Sequence, residues 1–161
     1  MSDLLIQLGS NQGDRAAYLA FARRQIEMRI GRLYRASAIY RTAAWGHTDQ
    51  PDFYNQVLRV VPRLDVSACL AVCQSIEAEA ERTRSLHWGP RTLDLDLLAA
   101  GQTILQTPEL QLPHPRLHER RFVLVPLTEI VPLWRHPILN ATARQLLERC
   151  PDQLSVTKVD D

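Results

Sequence analysis

The chain opens with an apolar run from Asp3 to Leu8 that reads as a short buried strand, and Gly9-Ser10-Asn11 breaks it. Leu19, Ala22, Ile26 and Ile30 then recur at intervals of three and four. That stripe predicts an amphipathic helix ending at Gly31. Leu33 to Tyr40 alternates small, polar and aromatic residues as a second strand would. Arg41 to Asp52 has Gly46, Pro51 and almost no periodicity, so it reads as a long loop of the kind that carries function. Phe53 to Val61 is β-rich and closed by Pro62. Asp65 is placed to cap a helix in which Cys69, Leu70, Cys73, Ile76 and Ala80 form one stripe while Gln74, Glu77 and Glu81 share another side. A polar loop from Glu81 to His87 leads to a strand from Thr92 to Ala99 and a turn at Gly101. A Pro/His-rich segment from Leu112 to Arg121 and two short helices, near Pro126 to Val131 and Thr142 to Arg149, follow. Pro151 to Asp161 reads as a polar, loosely tied tail with no assigned role.

The order β-α-β-β-α-β, with additions at the end, predicts an α+β sandwich of ferredoxin-like type. No repeat, linker or low-complexity tract interrupts it, so residues 1–161 are expected to form one domain.

Composition narrows the chemistry. Three cysteines, Cys69, Cys73 and Cys150, with no CxxC and no HExxH, argue against a disulfide framework and a zinc site. The amino terminus lacks a secretion signal and no run approaches about eighteen apolar residues, so a soluble cytoplasmic protein with no membrane partner is expected. A formal net charge of +1 gives no support for bulk nucleic-acid binding. Eighteen of the nineteen basic residues are arginine, the one lysine being Lys158 in the tail. Schiff-base chemistry and a P-loop are thereby disfavoured, and any bound phosphate would be held by arginine.

Four clusters carry candidate chemistry. In RTLDLDLL, residues 91–98, strand alternation puts Asp94 and Asp96 on one face and Leu93, Leu95 and Leu97 on the other. Two carboxylates about 7 Å apart along a strand can share hard cations with a nucleotide, although a solvated acidic face would show the same pattern. Upstream, Arg82, Arg84, His87, Trp88 and Arg91 gather cations and an indole in the preceding loop. The segment LPHPRLHERRF holds His114 between two prolines, where it could bond a phosphate, with Arg116, His118, Arg120 and Arg121 beside it. In the stretch 42–56, Phe53 and Asn55 lie two apart on a strand, an aromatic and a carboxamide able to stack on and pair with a planar heterocycle; ordinary sheet packing is the alternative.

Taken together, GSN at residues 9–11, YRT, DQPDFYN, WGPRTLDLDLL and PHPRLHERRFVLVPL resemble the 6-hydroxymethyl-7,8-dihydropterin pyrophosphokinase family, over roughly residues 4–132. The resemblance implies transfer of the diphosphate of ATP to the hydroxymethyl group of the pterin, releasing AMP, in folate biosynthesis. It implies that Asp94 and Asp96 bind two Mg²⁺ ions bridging the ATP phosphates, with Arg82 and Arg91 also catalytic. It further implies that Gln74, Glu77, Arg84, Trp88, Arg91, His114 and Arg120 line the ATP region. Thr42, Ala43, Trp45, Phe53, Asn55, Trp88 and Phe122 would hold the pterin, in a monomer.

The chain departs from the family pattern at Ala43 and Ala44, where proline is usual, and at Trp45, where a smaller apolar residue is usual. Glu81 replaces a glycine, and His87 stands where arginine is common. These differences leave room for a paralogue acting on a modified pterin, or for a pterin- or nucleotide-binding protein without turnover. An RNA-binding module is disfavoured because the chain lacks an aromatic RNP-type strand.

Overall fold

The computed structural model describes residues 2–43, 51–82 and 92–159. In chain order its elements are β1 (Leu4–Ser10), α1 (Arg15–Arg29), β2 (Gly31–Ala36), β3 (Tyr40–Thr42), β4 (Phe53–Pro62), α2 (Val66–Arg82) and β5 (Asp94–Ala100). A two-residue hairpin, β6 (Leu105–Gln106) and β7 (Gln111–Leu112), and a 3₁₀ turn at Leu117–Glu119 follow. Then come α3 (Arg121–Ile130), α4 (Ala143–Arg149) and β8 (Val156–Lys158).

Among the described residues six strands form one sheet in the order β5-β1-β4-β3-β8, with β2 also on β4, and every pairing is antiparallel. The protein is therefore of mixed α and β structure built on an antiparallel sheet. β1 lies inside the sheet between β5 and β4 and is buried along its whole length, so both faces must be covered. Leu4, Ile6 and Leu8 pack with Leu19, Ile26, Cys73 and Ile76 beneath α1 and α2. Leu5 turns the other way and packs with Val57, Leu98, Val123, Leu124 and Leu127 beneath α3.

The helix signals act as the sequence suggests. Asp14 accepts the Ala17 N–H at 3.1 Å and Asp65 the Ala68 N–H at 2.8 Å, each satisfying a donor that the first helical turn leaves over. Arg29, in the last turn of α1, reaches Glu79 and Ser75 of α2 and joins the two helices side by side. Gly31 follows α1 where only hydrogen fits, since a Cβ there would stand 2.1 Å from the Val61 carbonyl oxygen. Thr142 and Gln145 form a reciprocal capping box at α4.

Three expectations change. The strand from Leu33 to Tyr40 is two strands: the Ser37 N–H still donates to the Val57 carbonyl of β4 at 2.9 Å, and beyond it the Ala38 N–H and the Tyr40 hydroxyl both donate to Glu129 of α3. Ser37 spans the break by accepting the Val57 N–H at its hydroxyl. The loop expected from Glu81 begins later, because α2 continues through Arg82. The tail expected to be loosely tied places Val156–Lys158 on β3, closing an edge that carries unpaired backbone groups. No helix of the described residues is long and apolar enough to cross a membrane.

Candidate active site

Antiparallel register puts directly opposed residues on the same face, so side chains from different strands line up in rows. Gly9 of β1 stands opposite Asp94 of β5 on one side and Asn55 of β4 on the other. One step along, Gln7 stands opposite Asp96 and Val57. Both rows lie on the α3 face, towards the end of the sheet where β1 finishes and β4 begins. Gly9 is what opens this floor: a Cβ there would meet Asn55 Oδ1 at 3.3 Å, Asp94 Cβ at 3.9 Å and Phe53 Cδ1 at 4.0 Å.

The resulting cavity has a volume of about 430 Å³. Its floor is Gln7, Gly9, Asn55, Asp94 and Asp96. Thr42, Ala43 and Phe53 enter from the β3 and β4 side, and Arg120 and Phe122 from the start of α3. Asn55, 2% exposed, donates its amide N–H to Thr42 Oγ1 at 2.9 Å and accepts from Gln7 Nε2 at 3.4 Å. The carboxamide is thus fixed in orientation with one donor and one acceptor position left over. The Arg120 guanidinium stands 5.8 Å from the centre of the Phe122 ring, which puts a cation at the aromatic wall.

The strand carrying the aspartates is held from outside. Glu77 accepts the Leu95 N–H at 2.8 Å, between Asp94 and Asp96, and the His114 N–H donates to the Leu98 carbonyl at 2.8 Å. Leu98 is an extra residue relative to β1, so β5 bulges just beyond the acidic pair. His114 Nδ1 accepts the Arg116 N–H, leaving the neutral ring's proton on Nε2. Burial, with Arg120 and Arg116 nearby, lowers its pKa to about 4, so it is a neutral donor at physiological pH.

The structure brings together Thr42, Ala43, Phe53, Asn55, Asp94, Asp96, Arg120 and Phe122, eight of the residues singled out in the sequence. Gln74 and Arg82 are exposed on α2 and do not form the cavity wall; Glu77 and His114 brace β5 rather than line the cavity. Trp45, Arg84, Trp88 and Arg91 lie outside the described residues. Sequence reasoning missed Gln7, Glu119, Asp152 and Leu154 as wall residues, and did not assign Gly9 or Arg116 to the site. Gln7 had a signal, being a polar residue two before Gly9 in an apolar strand. Asp152 and Leu154 had none.

Residues 5–132 match the family described as 7,8-dihydro-6-hydroxymethylpterin-pyrophosphokinase (HPPK). The chain belongs to this family. A 2-amino-4-hydroxy-6-hydroxymethyldihydropteridine pyrophosphokinase of Methylorubrum extorquens is 44% identical over 133 residues, covering 82% of this chain and 84% of that protein. The Bacillus subtilis protein of the same name is 42% identical over 126 residues, covering 78% and 75%. Among solved structures, a Plasmodium falciparum HPPK-DHPS A437G with SDX-DHP superposes with a TM-score of 0.77 at 16% identity, covering 92% of this chain and 45% of that one. That likeness is one of fold. The chain spans less than half the length of that protein.

Proposed function

We propose that this HPPK family member transfers the diphosphate of ATP to the hydroxymethyl group of 6-hydroxymethyl-7,8-dihydropterin, giving the pterin diphosphate and AMP, as a step of folate synthesis. The observation that carries the reading is the shared cavity. An aromatic pair, Phe53 and Phe122, and the oriented Asn55 carboxamide stand in the same space as two carboxylates. A flat heterocycle with a donor and acceptor edge would stack on the rings and pair with Asn55, which points its exocyclic group along the floor towards Asp94 and Asp96.

Those aspartates fit magnesium. Two hard carboxylates on one strand face suit an ion that takes few protein ligands and completes its shell with water and phosphate. Two bound Mg²⁺ would supply charge neutralisation at the transferred group. The chain's own part is placement: Asn55 and Thr42 orient the pterin, Phe122 holds its face and Arg120 adds a cation, while His114, neutral and outside the cavity wall, would meet phosphate only where the nucleotide extends beyond that wall. Arg82, Arg84, Trp88, Arg91, Gln74 and Trp45 complete the ATP and pterin contacts in this reading, and Glu77 acts by bracing β5.

The strand order also supports the finer description of a ferredoxin-like sandwich, since β5-β1-β4-β2 is the 4-1-3-2 arrangement of a βαββαβ unit. We read the protein as a cytoplasmic monomer acting on small molecules. The reading is tested by incubating the protein with the pterin, ATP and Mg²⁺: pterin-dependent AMP supports it, and its absence at saturating substrates rejects it.

A further inference from the structure

The carboxy-terminal segment enters the cavity from outside residues 5–132, the stretch that matches the family. Asp152 and Leu154 form part of the wall beside Thr42 and Phe122. Both oxygens of Asp152 are engaged: Oδ2 accepts the Arg121 N–H at 3.0 Å and Oδ1 the Leu154 N–H at 2.9 Å. The first bond is a helix cap delivered from a distance. α3 begins at Arg121, and the residue before it, Arg120, gives no side-chain cap. Asp152 therefore satisfies an otherwise spare N–H, with its negative charge at the positive end of the helix dipole. Phe122 is the next residue of that turn.

The second bond folds residues 152–154 into a tight bend of the Asx kind. From there the chain enters β8, where Val156, Thr157 and Lys158 oppose Thr42, Arg41 and Tyr40. The Val159 N–H donates to the Ile39 carbonyl at 2.8 Å and ends the pairing. Thr42 is the residue whose hydroxyl fixes the Asn55 amide. One short segment thus grips two separate elements, the first turn of α3 and the strand β3, and fills the wall between them with Leu154.

We propose that residues 152–158 are a strap that sets the spacing between Phe122 and Thr42, with Asp152 a positioning residue and Leu154 a wall residue limiting the size of the heterocycle. The inference rests on the pterin lying at this end of the cavity. A stacked ring gains only if its two walls are held at the right separation before it arrives, and an uncapped first turn would fray and release Phe122. Because the strap touches the heterocycle end, its loss should act on pterin and spare ATP.

The experiment uses the full chain with Asp152→Ala, Asp152→Asn or Leu154→Ala, and two measurements. Hydrogen exchange on the unliganded protein should show protection across residues 121–125 falling about two- to thirtyfold in Asp152→Ala, the factor for a lost cap, with α1 unchanged. Affinity and KM for 6-hydroxymethyl-7,8-dihydropterin should weaken about three- to tenfold in Asp152→Ala and Leu154→Ala, with ATP-analogue affinity and kcat within about twofold. Asp152→Asn should fall between wild type and Asp152→Ala, since its amide can accept one bond but not both. Unchanged exchange at residues 121–125, or equal loss of pterin and ATP affinity, overturns the strap. If wild type binds no pterin, the pyrophosphokinase reading fails, while the exchange measurement still decides whether the segment holds α3.

Discussion

Asn55→Ala separates recognition of the heterocycle from everything else the cavity does. The wild-type carboxamide has two N–H donors and two acceptor positions, of which Thr42 takes one donor at 2.9 Å and Gln7 approaches one acceptor at 3.4 Å. The remaining donor and acceptor form a pair suited to the edge of a pterin. Within the protein, alanine removes the bond to Thr42 from a site that is 2% exposed, a loss of about 1–2 kcal/mol. For a domain of this length that lowers Tm by roughly 2–8 °C. Towards the ligand, two hydrogen bonds disappear and leave polar edge atoms of the heterocycle unpaired, about 2–4 kcal/mol together. Steady-state kinetics with varied pterin should therefore show kcat/KM falling roughly 30- to 1,000-fold, mostly through KM, with calorimetric affinity for an ATP analogue within about twofold. Asn55→Asp serves as the control for folding, because Thr42 can rotate its hydroxyl to donate while the pterin still loses its donor. A folded Asn55→Ala protein with pterin KM within about threefold of wild type would refute the assignment of this end of the cavity.

Other perturbations reach the acidic pair, the α1–β2 junction and His114. Asp94→Ala or Asp96→Ala should each cut turnover by about 10³ or more, with Tm within a few degrees of wild type, since both point away from the α1 and α2 core; near-normal turnover in either rejects the metal assignment. Gly31→Ala forces a Cβ to within 2.1 Å of the Val61 carbonyl oxygen, and urea unfolding should report a loss of about 2–4 kcal/mol, whereas a loss under about 0.5 kcal/mol would contradict the junction described. Burial, with Arg120 and Arg116, lowers His114 to about 4, so between about pH 6.5 and pH 4 the unfolded chain binds a proton that the folded protein refuses. Stability from this group is complete above about pH 6.5 and declines as pH falls towards about 4, by about 1–2 kcal/mol after allowance for partial exposure. Urea midpoints at pH 7.5 and 4.5 should differ less for His114→Asn than for wild type, and an equal difference would show that His114 titrates normally.

Much of the site was legible because strand geometry converts sequence spacing into direction. Alternation alone placed Asp94 and Asp96 opposite Leu95 and Leu97, and put Phe53 and Asn55 on one face, and the sheet register then brought the two pairs to either side of Gly9. The same rule applied to LLIQLG would have found Gln7. What resisted reading depends on partners distant in the chain. At the break between β2 and β3 the Ala38 N–H is taken by Glu129, 91 residues later. Asp152 caps a helix that begins 31 residues before it, and Leu154 reaches the cavity only because β8 finds the free edge of β3. No local pattern encodes such encounters. Gln74 and Glu77 entered as site residues through the family resemblance, Arg82 and His114 through clusters of cations; the structure places them around β5 and on α2 rather than in the cavity wall, and Trp45, Arg84, Trp88 and Arg91 lie outside the described residues.

Transfer of a diphosphate, and not of a single phosphate, from ATP to the pterin is what the proposed function turns on. Purified protein mixed with 6-hydroxymethyl-7,8-dihydropterin, ATP and Mg²⁺, followed by chromatographic separation of nucleotides, tests it in one step. AMP should accumulate in equal amount to the pterin diphosphate, strictly dependent on pterin, with no ADP. ADP as the nucleotide product, or no nucleotide turnover from protein shown to bind both substrates, would contradict it.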